Sequence, residues 1–258
     1  MRAREVLLAV VCAALSACGG GGGVGRSVTT ESVSPPLSRP RPPADAAALR
    51  ALARPGTLLA RAHAPALAVH WEPGTARPFM RLDATNPWRQ ALRLLVLDDA
   101  LDADGDLWLR VQLPIWPNGQ EGWVAATDVG LGRAPERIVV DLSDRRLARY
   151  RDGEAVTRLR IGIGAPDTPT PTGRYVVWAK VHTGRPSGPY GSYILGLSGF
   201  SETIQPDEWP GEPRLAIHGT ADPDDAGRAV SSGCVRVPNA LLPLLRDVPM
   251  GTPVTIRS

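Results

Sequence analysis

The chain has 258 residues, 43% of them hydrophobic and 21% charged, which is enough for one large domain or two modest ones with an apolar core. Twenty-nine basic residues stand against 26 acidic ones, a net charge of +3 with no lysine-rich block. That balance argues against a nucleic-acid partner.

Arg2 and Arg4 precede a short apolar run, "VLLAVVCAAL", and then "LSAC" at residues 15–18. The apolar stretch suits an export signal better than a membrane-spanning helix. The small residues before Cys18 resemble the bacterial lipobox, in which the cysteine becomes the lipidated first residue. The rival is an ordinary cleaved signal with an incidental cysteine. The polar run "CGGGGGVG" begins at Cys18 itself, which favours the lipoprotein. This implies an exported protein held on a membrane surface through a lipid anchor, with residues 1–18 as its signal. Cys12 then falls inside the signal and Cys18 is acylated, so Cys234 is left without a disulfide partner in the chain.

Residues 19–55, with "SVSPPLSRPRPP", read as an extended Gly/Pro-rich tether, with a short helix expected at "ADAAALRALA", 44–53. From 56 to 132 short apolar runs alternate with turn signals. "LWLRVQL" alternates as a half-buried strand, "PNGQ" is a hairpin turn, and "GWVAATDV" is its partner strand. Five of the seven tryptophans lie between 71 and 123, and core packing is the favoured role over an aromatic binding groove. The strand, turn and "GWV" resemble a bacterial SH3-like barrel. "DADGD" at 102–106 has alternating acids, but glycine stands fourth rather than sixth and Leu113 stands where a calcium loop needs glutamate, so it reads as a charged hairpin tip.

"RAPERI", 133–138, reads as a joint between domains. Beyond it, strands are expected at "IVVD", "RLARY", "AVTRLRIGIG", "RYVVWAKV" and "GTPVTIR", with "TPTPTG" as a loop because proline cannot donate to a ladder. One helix is expected after Asn239 as N-cap, over "ALLPLLRDV". The fold class is mainly β: a small barrel followed by a β-rich second domain with a short helix.

His218 in "LAIHGT" and Cys234 in "SSGCVRV" are the residues with chemistry to offer. A thiol of ordinary pKa near 8.5 is mostly protonated at neutral pH, and an adjacent imidazole would take its proton and later return it to a leaving amine. Gly233 would let a substrate carbonyl approach the N–H groups of Gly233 and Cys234 as an oxyanion hole, and Ser231 and Ser232 would brace the loop. One cysteine and scattered histidines lack the paired spacing of a zinc site, and the polar, glycine-rich setting disfavours an inert buried cysteine.

"IHGT", "ADPDDAGRAV", "SSGCVRV" followed by Asn239, "IVVDLSDRRLARYRDG" and "GIGAPDTPTPTGRY" occur in one order. Together they resemble the L,D-transpeptidase catalytic (YkuD) domain over residues 137–258. The resemblance implies Cys234 as nucleophile, His218 as general base and Gly219 as third member through its backbone carbonyl. It assigns Arg236 to substrate contact or loop support, the latter favoured, and sets Tyr190 and Tyr193 of "PYGSYILGLSG" along the substrate groove, with core packing an equal alternative for both. It implies acyl transfer between peptidoglycan stem peptides, capture by carbapenems, and no metal or organic cofactor. The family commonly has histidine where this chain has Ser232. A carboxypeptidase using water, and a non-catalytic wall-binding lipoprotein, are the alternatives.

Overall fold

The computed structural model describes residues 46–52, 57–204 and 212–258. The expected signal, the lipidation site Cys18 and most of the tether lie outside the described residues. A seven-residue helix α1 (Ala46–Leu52) falls within the expected 44–53. Its Ala48 packs into the core of the sheet that follows.

That sheet is built from β1 (Leu58–Ala62), β4 (Leu94–Leu101), β5 (Leu107–Gln112), β6 (Glu121–Ala125) and β7 (Val129–Arg133). The hairpin of β2 (Ala66–Val69) and β3 (Met80–Asp83) lies beside it. The spatial order is β6-β5-β4-β1-β7, with every pair antiparallel. His70, just after β2, exchanges two backbone hydrogen bonds with Trp123 of β6, so the hairpin caps that edge of the sheet. Alternation selects the inward face: Leu107, Leu109 and Val111 of β5 are buried with Val124, Val69 and Leu67.

The tryptophans depart from the expectation that they are core. Trp108 is buried, with its indole N–H donating to Asp102, whereas Trp71, Trp88 and Trp116 are exposed. Asp102 is a turn residue: its Oδ1 accepts from the N–H groups of Asp104 and Asp106.

Only Ala134 and Pro135 separate β7 from β8 (Glu136–Asp141). Next come β9 (Arg146–Arg151), β10 (Glu154–Arg160), β11 (Ile163–Gly164), β12 (Gly173–His182), β13 (Tyr193–Phe200), β14 (Arg214–Thr220), β15 (Ala229–Ser231), β16 (Val235–Pro238) and β17 (Pro253–Arg257). Eight of these form one mixed sheet in the order β10-β9-β8-β17-β12-β13-β14-β16. The β8/β17 and β14/β16 pairs are parallel and the rest antiparallel. Its core gathers Ile138, Val140, Leu147, Leu195, Ile217 and Leu245, each fully buried aliphatic chain contributing about 1.5–3 kcal/mol.

The helix expected after Asn239 is instead a single 3-10 turn, Leu242–Leu245. Leu242 and Leu245 are buried three residues apart, the spacing that a 3-10 turn stacks, while Leu241 and Leu244 stay exposed. Asn239 does not cap it, because its side-chain amide donates to the Gly188 carbonyl.

Candidate active site

Two parallel strands build the site. On β14, Leu215 and Ile217 enter the core, so the alternate residues Arg214, Ala216 and His218 face the other way. On β16, Val235 and Val237 enter the core, while Cys234, just before the strand, and Arg236 face outward with them. The register pairs Ile217 with Val235 and His218 with Arg236. Cys234 and His218 therefore share one wall of a cavity of about 500 Å3, with Tyr190, Ser231, Ser232 and Arg236 on its lining.

His218 is buried, and its Nδ1 lies 2.7 Å from the Gly219 carbonyl oxygen. A carbonyl only accepts, so Nδ1 carries the proton and Nε2 keeps a free lone pair. Burial pushes the imidazole below its ordinary pKa of 6.5; the Gly219 bond opposes this and the positive charge of Arg236 adds to it. The Tyr190 ring meets the imidazole edge-on, with centroids 4.9 Å apart. The Gly219 N–H donates to the Tyr190 carbonyl at 2.8 Å. Gly219 has no room for a side chain: a Cβ there would lie 2.0 Å from Asn239 Oδ1 and 2.7 Å from the Gly191 Cα.

The loop before Cys234 is tied by one hydroxyl. Ser231 Oγ donates to the Cys234 carbonyl at 2.5 Å and accepts from the Gly233 N–H at 3.2 Å. Gly233 sits at φ 109°, a region that favours glycine. The Ser231 carbonyl accepts from Thr168 Oγ1 and the Ala165 N–H, so the proline-rich loop after β11 braces the same turn. The expected pair of oxyanion donors is thereby reduced, since the Gly233 N–H is engaged by Ser231 and the Cys234 N–H is the one that remains for the role.

Cys234 is a partly buried free thiol. Burial pushes it above its ordinary pKa, against the opposing pull of a backbone hydrogen bond from Ala216 and the charge of Arg236. Both shifts favour the neutral forms, thiol and imidazole, over the ion pair at rest. Arg236 Nη1 pairs with Asp225 Oδ2 at 3.1 Å, and the same oxygen accepts from Thr220 Oγ1 at 2.6 Å. This anchors the turn between β14 and β15 and fits loop support rather than free substrate contact.

Tyr193 is a correction. It is buried in the sheet core with its hydroxyl donating to the Leu242 carbonyl, and it does not line the cavity. Tyr190 lines it, and Ser232 lines it while exposed. Sequence reasoning took Asn239 for a helix N-cap and missed its place beside Gly219, and it missed the group Trp88, Trp178 and Arg214 on the cavity lining. The Arg214 guanidinium stacks over Trp178 at 3.8 Å and over Phe200 at 4.2 Å. Among the described residues no group of three or more His, Cys, Asp or Glu is gathered to hold a metal.

Residues 135–256 match the YkuD family, the L,D-transpeptidase catalytic domain. Over 123 residues, 47% of the chain, the sequence is 37% identical to a protein of Bacillus licheniformis and 32% identical to one of Bacillus subtilis, both bearing the name "Putative L,D-transpeptidase YkuD". The match spans 66% of the length of each of these relatives. Among solved structures, the catalytic domain of an Enterococcus faecium L,D-transpeptidase acylated by ertapenem is 26% identical, with a TM-score of 0.36 over 49% of this chain and 99% of that one.

Proposed function

We propose that this protein is a peptidoglycan L,D-transpeptidase with Cys234 as its nucleophile. The observation that carries the reading is the shared cavity lining: Cys234 and His218 both face it from neighbouring strands, and the His218 Nδ1–H is held by the Gly219 carbonyl so that Nε2 is free to accept. The similarity of residues 135–256 to the YkuD domain supports the substrate class.

The steps follow from that geometry. His218 Nε2 takes the Sγ proton as the sulfur attacks the carbonyl of the third residue of a donor stem tetrapeptide. The Cys234 N–H stabilises the developing oxyanion, a contribution of about 3 kcal/mol for one such donor in other acyl transferases. The C–N bond to the terminal D-alanine breaks, and His218 returns its proton to the leaving amine. A side-chain amine of a neighbouring stem then attacks the thioester, giving its proton to His218. The new amide forms, and the departing sulfur recovers the proton as a thiol. The product is a link from third residue to third residue.

The five-stranded sheet with its capping hairpin is an SH3-like module in this reading, supported by the closure through His70 and Trp123. The sequence around Cys18 supports a lipid anchor, which with the tether to residue 55 puts the catalytic part in the cell envelope within reach of the wall.

The test is intact-mass labelling with a carbapenem, followed by peptide mapping and incubation with disaccharide-tetrapeptide. The expected results are one adduct on Cys234, none in Cys234→Ala, and cross-linked dimers with release of D-alanine. Release of D-alanine with tripeptide as the only product makes the enzyme a carboxypeptidase. No adduct and no release overturn the reading.

A further inference from the structure

The cavity that holds Cys234 is lined in part by a loop of the N-terminal half. Trp88, on the loop between β3 and β4, lies on its lining with Trp178 of β12, the two indoles meeting edge-on at 5.9 Å. This loop is clamped in place. Asn86, buried, donates to the Trp178 carbonyl at 2.9 Å, and its Oδ1 accepts from the N–H groups of Trp88 and Gln90. Gln90 Nε2 donates to the Lys180 carbonyl at 2.7 Å while its Oε1 accepts the Lys180 N–H at 3.0 Å. A side-chain amide here pairs with β12 as a strand residue would. Leu92 packs against Trp178 and Ala179 beneath it. A loop fixed at so many points holds a large aromatic that is itself 52% exposed. The clamp thereby holds a half-exposed indole on the lining of the cavity that contains Cys234.

Position along the strand says which part of a substrate it meets. The register pairs Ile217 with Val235, which sets Cys234 level with Ala216 of β14, two residues after the Arg214 that stacks on Trp178, a rise of ~7 Å at strand geometry. An extended peptide covers that span in about two residues. The aromatic end therefore faces a part of the substrate beyond the residue at the reacting carbonyl. Binding energy collected there can serve the chemical step.

We propose that Trp88, propped edge-on against the buried Trp178, forms a subsite that binds a C–H-rich face of the substrate, an aliphatic segment of the stem or a pyranose ring of the glycan, so that the loop between β3 and β4 contributes to substrate recognition at Cys234. The proposal rests on the transpeptidase reading above. Trp88 is a contact residue and Gln90 a positioning residue that acts through it.

The experiment compares wild type, Trp88→Ala, Gln90→Ala and the double variant on free tetrapeptide and on disaccharide-tetrapeptide, following D-alanine release. The rate of Cys234 alkylation by iodoacetamide, a probe too small to span the cavity, is measured alongside. Trp88→Ala is expected to lower kcat/KM about tenfold, mainly through KM, with alkylation unchanged. Gln90→Ala is expected to move KM in the same direction, and the double variant to be no worse than the worse single one. A loss on both substrates assigns the contact to the peptide; a loss on the disaccharide substrate alone assigns it to the sugar. Unchanged KM on both substrates, with wild type turning over, overturns the subsite alone. A wild type that releases no D-alanine overturns the transpeptidase reading and the subsite with it. Parallel loss of alkylation in Trp88→Ala also overturns the proposal, since the variant has then disturbed the thiol itself.

Discussion

Burial moves the two central groups in opposite directions. It lowers the pKa of His218 and raises that of Cys234, and in both cases it penalises the charged form. The thiolate is therefore made during attack, when the developing charges offset each other, and is not stored at rest. The pH dependence follows with a definite sign. A lowered imidazole pKa keeps Nε2 able to accept a proton at pH 6.5, and the ability is lost only as pH falls through a lower value. The acid limb of acylation, measured as carbapenem adduct rate against pH, is expected to have its midpoint below 6.5; a midpoint at or above 6.5 contradicts the neutral pair. Gly219→Ala is a second test at this scale. Its methyl would sit 2.0 Å from Asn239 Oδ1, so the carbonyl that aims His218 must move. A misplacement near 1 Å costs about 100-fold in other enzymes, and a loss of at least about tenfold in acylation rate is expected here, against an unaltered rate if the carbonyl has no aiming role. Cys234 and His218 stood out in "SSGC" and "IHGT" because cysteine and histidine are scarce in this chain, three and four residues, whereas Gly219, one of 27 glycines, came only with the resemblance. Of the two places open to Tyr193 the core is the one it takes, and the strand already signals it: Tyr193, Leu195 and Leu197 share one face, and that face is the core. The engagement of the Gly233 N–H also had a signal, since a serine two residues before an N–H is the geometry of a local hydroxyl turn.

At the level of elements, alternation in "RLARY" placed Arg149 on the same face as Leu147, and both are buried. What the sequence did not disclose is the partner set, which comes from strands and turns far apart in the chain. Arg149 and Glu136, with side chains 3% and 4% exposed, are joined by two hydrogen bonds, and Asp247 and Arg151 complete the group. Burial alone would raise Glu136, but the two arginines outweigh it and hold the carboxyl low. Removing one side of a buried pair leaves the other charge uncompensated, typically at 3–5 kcal/mol. Arg151 still reaches Glu136 at 2.8 Å, so Arg149→Met is expected at the lower end, about 3 kcal/mol by urea denaturation; a loss below about 1 kcal/mol would show the cluster to be ornamental. Hydrogen bonding from Arg149 holds Asp247 at about 2 against an ordinary 3.8. Its contribution is whole above pH 3.8 and fades as pH falls toward 2, weakened throughout by its exposure to solvent. The helix expected after Asn239 failed for a comparable reason. The N-cap side chain was claimed by a distant carbonyl at Gly188, and only Leu242 and Leu245 had core to face.

For the whole molecule, the informative stretch is "YVVWA", 175–179, buried at every position. A continuous apolar run of this length belongs to a strand covered on both faces. One face of β12 gives Tyr175 and Val177 to the core of the eight-stranded sheet. The other gives Val176 to Leu59 and Leu95, and Trp178 to Leu92, all from the N-terminal sheet. The strand itself was expected at "RYVVWAKV", but its second apolar face went unread, and which partner covers that face is a tertiary fact that no local pattern encodes. The two-residue joint at Ala134 and Pro135 leaves little freedom for the sheets to part. Stripping the N-terminal sheet away would expose Val176 and Trp178, so neither core should reach its full stability alone. Calorimetry of the protein is therefore expected to give one transition whose calorimetric and van't Hoff enthalpies agree. Leu95→Ala, at a site 2% exposed and packed on Val176, should cost about 2–5 kcal/mol and move that single transition to lower temperature as a unit. Two resolved transitions in the unsubstituted protein would mean that the sheets fold independently. The clamped loop carrying Trp88 would then rest on a contact too weak to hold it in the cavity.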